Sequence, residues 1–192
     1  MSEDPFKKFG EWFAAAEGAE PNDPNAMTVA TVGESGRPSV RILLLKSWDK
    51  SGFSFYGNLG SRKAREMQAN NHVALLFHWK SLARQVRIEG TVTQVSDAQA
   101  DAYFASRPRM SQIGAWASEQ SRPLPSRELF ESRVEEVEAR FRGQPVPRPE
   151  FWSGWKLAPD YFEFWQGIDF RLHDRFTFSK TASGWETGRL YP

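Results

Sequence analysis

Cysteine is absent from this 192-residue chain, which excludes disulfides, thiolate zinc sites and cysteine nucleophiles together. Histidine is scarce, and the three present, His72, His78 and His173, argue against a His-rich metal centre, so no metal is expected. Neither sign of charge dominates: 25 Lys and Arg face 24 Asp and Glu, a formal net charge of +1. A balance that close supplies no bulk field for nucleic acid or a membrane surface, so any anion specificity must come from local clusters. No apolar run approaches the length of a membrane span, and the opening Met1-Ser2-Glu3-Asp4-Pro5 lacks an apolar signal core; a cytoplasmic location is expected. There is no Gly-x-Gly-x-x-Gly fingerprint and no Gly-x-Ser-x-Gly elbow, which removes the commonest dinucleotide and serine-hydrolase readings.

Aromatic residues are plentiful: 15 Phe and 8 Trp in a chain that is 40% hydrophobic are ample for the core of one compact domain spanning 1–192. Phe6, Phe9, Trp12, Phe13 and Ala16 follow helical spacing, predicting a helix over about 3–17 with Gly18 as its stop. Strands are predicted over Met27–Val32, Pro38–Trp48, Phe53–Tyr56, Val73–Trp79 and Gln85–Val95, separated by turns such as Glu34-Ser35-Gly36 and Asp49-Lys50-Ser51-Gly52. A short helix is expected over Ser61–Asn70, another from Ser96 or Asp97 to Ser106, and a third over about Ser126–Arg142 with Phe130, Val134, Val137 and Phe141 on one stripe. Pro145, Pro147 and Pro149 mark an exposed connector, after which strands return at Tyr161–Trp165, Phe170–Ser179 and Trp185–Leu190. Short antiparallel strands interrupted by helices make a mainly β, α+β fold, a Greek-key barrel with helices attached.

The segment Arg171-Leu172-His173-Asp174-Arg175 carries the sharpest chemical signal. Read as a strand, it sets Arg171, His173 and Arg175 on one face, where like charges repel unless an anion or an electron-rich ring lies against them. A second signal is Ser61-Arg62-Lys63, an N-cap followed by two cations in the first helical turn. Cations oppose the helix dipole there, but with the free N–H groups they make a phosphate cradle; two solvated basic residues are the plain alternative. Arg41 and Lys46 bracket the apolar run Ile42–Leu45, and strict alternation puts them on opposite faces. Tyr103, Arg107 and Ser111 repeat every four residues, although Pro108 interrupts a continuous helix. Glu135 and Glu136 sit on a helix face expected to be solvated and are poor acid–base candidates. These clusters share cationic or polar contact with phosphate beside aromatic surface, which fits a phosphorylated, ring-bearing ligand.

Glu163-Phe-Trp-Gln with Arg171-Leu-His-Asp-Arg175 resembles the signature of the pyridoxamine/pyridoxine 5′-phosphate oxidase family. Arg41–Lys46, Phe55–Lys63, Arg84-Gln85-Val86 and Ser106–Trp116 resemble further family segments in family order, so the likeness runs from about Asp23 to Pro192. The resemblance implies an FMN-binding split barrel that forms a homodimer with FMN at the subunit interface, the C-terminal region from about 150 to 192 serving dimerisation and the active site. It implies FMN contacts from Arg41, Ile42, Leu43, Leu44, Leu45, Lys46, Tyr56, Gly57, Arg62, Lys63, Gln85, Gln120, Ser121, Trp165 and Arg175. Lys46, Tyr103, Arg107 and Ser111 would hold the substrate phosphate, and Arg171, Leu172 and His173 would meet the substrate ring, Arg171 and His173 as the catalytic pair. The implied reaction oxidises pyridoxamine 5′-phosphate or pyridoxine 5′-phosphate to pyridoxal 5′-phosphate, with O2 as acceptor giving H2O2. The alternatives are a binding protein of the same fold that carries FMN or pyridoxal 5′-phosphate without efficient turnover, and a related split-barrel flavin reductase or deazaflavin-dependent oxidoreductase, which would not need the substrate-phosphate set. The chain departs from the resemblance at Gly57, where relatives often carry a hydroxyl, in the apolar Ile168 and Phe170, and at Met1–Glu3, where relatives often carry a basic, tyrosine-containing lid.

Overall fold

In the computed structural model, which describes residues 4–192, the first element is the helix α1 (Pro5–Ala19). Asp4 caps it by accepting a hydrogen bond from the Phe6 amide, and Pro5 occupies the first turn, where its missing N–H costs nothing. The expected start at residue 3 lies outside the described residues. Gly18 does not stop α1, which runs one residue further to Ala19. Nine strands follow among the described residues: β1 (Ala26–Val32), β2 (Pro38–Leu44), β3 (Ser47–Asp49), β4 (Gly52–Asn58), β5 (His72–Trp79), β6 (Arg84–Gln94), β7 (Trp152–Gln166), β8 (Asp174–Thr181) and β9 (Gly184–Arg189). Between them lie α2 (Arg62–Ala69), α3 (Asp97–Ser106), α4 (Arg109–Ala117) and α5 (Arg127–Arg140).

All pairings are antiparallel, in the order β2-β1-β5-β6-β7-β4-β3, with β8 on β7 and β9 on β8. The long strand β7 organises this sheet. Its first half, Trp152–Leu157, pairs with β4, and its second half, Tyr161–Gln166, pairs with β8, while β6 runs beside both. The change of partner coincides with a bulge where Glu89 faces Tyr161 and Gly90 faces Pro159. A Cβ on Gly90 would lie 2.1 Å from the Ala158 carbonyl oxygen, so the strands close up there only because residue 90 is glycine. Pro159 and Gly154 look like strand breakers, which is why the sequence predicts only Tyr161–Trp165; at a bulge a proline forfeits no ladder bond. The sheet curls at this point into a split barrel.

Two further expectations change. The predicted strand Pro38–Trp48 breaks at Leu45–Lys46, because Asn25 takes both backbone groups of Leu45: its carbonyl accepts the Leu45 amide and its side chain donates to the Leu45 carbonyl. The break buries Leu45 and leaves Lys46 exposed. The predicted strand Phe170–Ser179 begins only at Asp174, because Phe170 and Arg171 both adopt left-handed backbone (φ 58° and 64°) in a short turn over Asp169–Arg171. Arg171, His173 and Arg175 therefore do not share a strand face, and the repulsion expected of that arrangement is avoided.

One core fills the barrel. Phe9 at its centre is fully buried, with ring centroids 4.9–6.2 Å from Phe53, Trp48, Phe77, Phe13 and Trp79. A second cluster, Phe104, Ile113, Phe141, Val146 and Trp152, joins α3, α4 and the end of α5 to the start of β7. Val134 and Val137 pack against it as their stripe predicted. No helix among the described residues is long and apolar enough to cross a membrane. Phe9→Ala removes a ring that holds α1 on the barrel; its expected cost is about 3–5 kcal/mol, read as a lower denaturation midpoint in urea at an unchanged slope.

Candidate active site

The second cluster also forms a wall of a large cleft, about 640 Å³ in volume. Lys46, Tyr103, Arg107 and Ser111, scattered over 65 positions of sequence, converge on it together with Leu43, Leu44, Tyr56, Gly57 and Gln120. Pro108 splits the Tyr103–Ser111 segment into α3 and α4 and acts as the N-cap of α4. The four-residue spacing is thus not one helix face, yet the corner brings all three side chains to the same cleft. Phe130 from α5 and Trp152 from β7 complete the lining.

Arg107 sits over the Trp152 ring, with its guanidinium carbon 4.8 Å from the centroid. Tyr56 stacks on Tyr103 at 4.1 Å and on Trp152 at 5.6 Å, so the cation rests on an aromatic pile drawn from β4, α3 and β7. Burial lowers the Arg107 pKa, partly offset by Tyr103, and burial raises the pKa of both tyrosines. The Arg107 Nη1 is buried and has no hydrogen-bond partner among the described residues. A charged donor left unsatisfied in a cleft is costly unless an anion completes it.

The cation pair at the start of α2 is divided. Ser61 caps the helix as predicted. Arg62 is exposed and donates through Nε to Glu66 Oε1 at 2.7 Å. Lys63 is buried and donates to Ser61 Oγ at 3.1 Å and Gln120 Oε1 at 2.9 Å. Burial, reinforced by the nearby Arg41 charge, brings the Lys63 pKa down to about 8. A Cβ on Gly57 would stand 2.9 Å from the Lys63 Nζ, so the ammonium occupies space that a side chain at 57 would need.

Glu66, which sequence reading passed over, is the hub of this corner. Its Oε2 accepts from Thr31 Oγ1 at 2.6 Å, Ser39 Oγ at 2.5 Å and Arg41 Nη2 at 3.2 Å. Arg41 also donates to the Val29 carbonyl and to the Thr31 and Ser39 hydroxyls, so its guanidinium is engaged within the chain. Burial opposes the Glu66 charge, but the hydrogen bonds from Ser39, Thr31 and Arg62 outweigh it and bring the pKa down to about 2.

A second, smaller depression of about 340 Å³ holds Gln85, Trp165 and Arg175, with Arg87, Glu163 and the C-terminal Pro192. Gln85, Trp165 and Arg175 are cross-strand neighbours on β6, β7 and β8. Glu163, almost fully buried, accepts from Arg87 Nη2 and from Arg175 Nε, each at 2.7 Å. Those two cations hold its pKa low against the effect of burial. Arg175 also donates to the Tyr191 carbonyl, fastening the chain end beside the depression. The fifteen residues expected around a flavin are therefore not gathered in one place within a single chain. Ile42 is exposed on β2, Ser121 lies in a loop with φ 71°, and Leu45 is in the core. Glu163, Arg87 and Trp152 were missed because their partners lie far away in sequence, and no local pattern betrays such pairings.

Comparison with known proteins agrees with this geometry. The family model described as pyridoxamine 5′-phosphate oxidase matches residues 14–141, and that of the pyridoxine 5′-phosphate oxidase C-terminal dimerisation region matches 152–192. The chain belongs to the pyridoxamine 5′-phosphate oxidase family. A pyridoxine/pyridoxamine 5′-phosphate oxidase of Sphingopyxis alaskensis is 60% identical over 192 residues, all of this chain and 89% of the relative. The Zymomonas mobilis protein of the same name is 53% identical with both chains covered completely. Among solved structures, PhzG from Burkholderia lata, in complex with tetrahydrophenazine-1-carboxylic acid, is 29% identical at a TM-score of 0.94, covering all of this chain and 94% of that one. An FMN-binding, pyridoxamine 5′-phosphate oxidase-related protein from Nostoc punctiforme, 15% identical at a TM-score of 0.79, shares the fold, with both chains covered fully. The protein is an oxidoreductase of the kind its relatives are named for.

The Glu66 hub has a pH signature. A carboxylate whose pKa falls from the ordinary 4.5 to about 2 on folding adds stability that is present above pH 4.5 and lost as pH falls through 2. The stability gap between the native chain and Glu66→Gln is therefore expected to be full at neutral pH and to close between those limits in acid denaturation curves.

Proposed function

We propose that the protein binds FMN and oxidises pyridoxamine 5′-phosphate and pyridoxine 5′-phosphate to pyridoxal 5′-phosphate, with O2 reduced to H2O2. The observation that carries this reading is the buried Arg107 Nη1 without a partner, in a cleft that also presents Lys46, Tyr103 and Ser111. Among the described residues no carboxylate pairs with Lys46, Lys63 or Arg107, whereas Arg41 and Arg62 are matched by the part-buried Glu66 and Arg175 by the buried Glu163. Two of these cations, Lys46 and Arg107, line the large cleft, and Lys63 stands beside it against Gly57 and Gln120, an arrangement suited to a phosphorylated ligand. Lys63, Ser61 and Gln120, with the free amides that open α2, suit the flavin phosphate; Lys46, Tyr103, Arg107 and Ser111 suit the substrate phosphate.

FMN, when bound, supplies the hydride acceptor and the route to oxygen. The protein's part is placement. Gln85, Trp165 and Arg175 form a flat, polar-edged platform for a ring system, and Arg171, Leu172 and His173 lie on the turn beside it. A homodimer reconciles the two separated clefts, the platform of one subunit completing the large cleft of the other. Val40 and Ile42 on the outer strand β2, together with Phe170, Leu172, Leu190 and Tyr191, offer exposed apolar surface for that contact. A cytoplasmic enzyme of one domain fits a chain without cysteine whose ligands are soluble phosphates.

Reconstitution with FMN followed by peroxide detection tests the proposal. A bound-flavin spectrum and H2O2 release with either phosphorylated vitamer are expected; a protein that cannot be reconstituted, or that turns over tetrahydrophenazine-1-carboxylic acid and neither vitamer, defeats it. Arg107→Ala removes a charge-assisted contact of about 1.5–3 kcal/mol, so KM for the phosphorylated substrate should rise roughly 10- to 100-fold with FMN affinity unchanged.

A further inference from the structure

Glu163 is the only buried carboxylate among the described residues. The strand register explains where it stands. Gln85 on β6 faces Trp165 on β7, which faces Arg175 on β8, and Arg87 faces Glu163 at the next position of the same sheet face. All five line the smaller depression. The carboxylate therefore belongs to the same surface as the residues of the ring platform.

Its two oxygens are divided between two cations. Oε2 accepts from Arg87 Nη2 and Oε1 from Arg175 Nε, each at 2.7 Å. Burial works against the charge, but the two guanidiniums hold the group ionised. Glu89 also reaches Arg87, at 3.3 Å from Nη1, and both of those side chains are 43% exposed. A pair open to water is screened, so Glu89 offsets little of the local charge. The face thus carries two guanidiniums against one buried carboxylate, and a charge shielded from water acts on its surroundings more strongly than one in solvent.

We infer that Glu163 sets the reduction potential of the bound FMN, by offsetting the positive charge that Arg87 and Arg175 present to its ring. The inference rests on the function proposed above, in which this platform receives the flavin. A ring that accepts a hydride from the substrate carbon gains two electrons and one proton and becomes an anion, while the oxidised substrate sheds a proton to solvent. Cations beside the ring favour that anion, and the Glu163 charge opposes it. The native potential is therefore held below the value that the two arginines would give by themselves.

Midpoint potentials test this. Native protein and variants are loaded with FMN and reduced stepwise against a dye of known potential. Glu163→Gln keeps the shape of the side chain and removes its charge. The reduced flavin should then be held at least ten-fold more tightly relative to the oxidised form, a rise of about 30 mV for a two-electron couple. Arg87→Gln removes a cation and should move the potential the opposite way, whereas Glu89→Gln at the exposed rim should move it less than Glu163→Gln does. An unchanged or lowered potential in FMN-loaded Glu163→Gln overturns the inference. Where that variant holds no flavin, Arg87→Gln decides, and a potential that does not fall there overturns it. Native protein that takes up no FMN defeats this inference and the proposed function together; the expected shifts without vitamer oxidation defeat the proposed function alone.

Discussion

The exchange of partners along β7 is the constraint on which the rest of this structure depends. One strand pairs with β4 near its start and β8 near its end, and β6 accompanies it from Trp155 to Gln166. A flat sheet cannot do this. The bulge between Glu89 and Gly90 gives the extra residue and the bend, and the glycine allows the backbones to approach. The two ends of β7 then stand in different places: Trp152 lines the large cleft, and Glu163 and Trp165 line the smaller depression.

Electrostatics follow the same division. The chain is nearly neutral, yet its basic groups are not alike, because two carboxylates, the part-buried Glu66 and the buried Glu163, engage some and leave others. Glu66 holds Arg41 and Arg62, and Glu163 holds Arg87 and Arg175. Ion pairs of this kind give up solvation and return little net stability, but they fix direction. The cations aimed by carboxylates become rigid donors, whereas Lys46 and Arg107 in the large cleft, and Lys63 beside it, have no carboxylate partner among the described residues.

Much of this was legible in the sequence where the signal is local. The Ser61 cap, the alternating Gln85, the α5 stripe and the capped helix over Asp97–Ser106 all stand where spacing placed them. The family resemblance was also carried by contiguous motifs. What stayed hidden is non-local. Asn25 breaks the second strand from twenty residues away, Glu66 gathers groups from three elements, and Pro159 reads as an interruption until β7 is seen to bulge beside it, with Asp160 unpaired opposite Glu89 and Gly90. The strand reading of Arg171–Arg175 failed differently: alternation was assumed where two left-handed residues turn the chain, and nothing in Phe170 or Arg171 announces that conformation.

Gly57 shows how a missing side chain can be a filled position. The volume beside its α-carbon holds the Lys63 ammonium, which reaches across to Gln120. A hydroxyl at 57 would therefore enter occupied space, and the lysine would have to find another path to the cleft. Residues 57 and 63 therefore share one volume, and a larger residue at 57 is compatible only with a lysine that takes a different course.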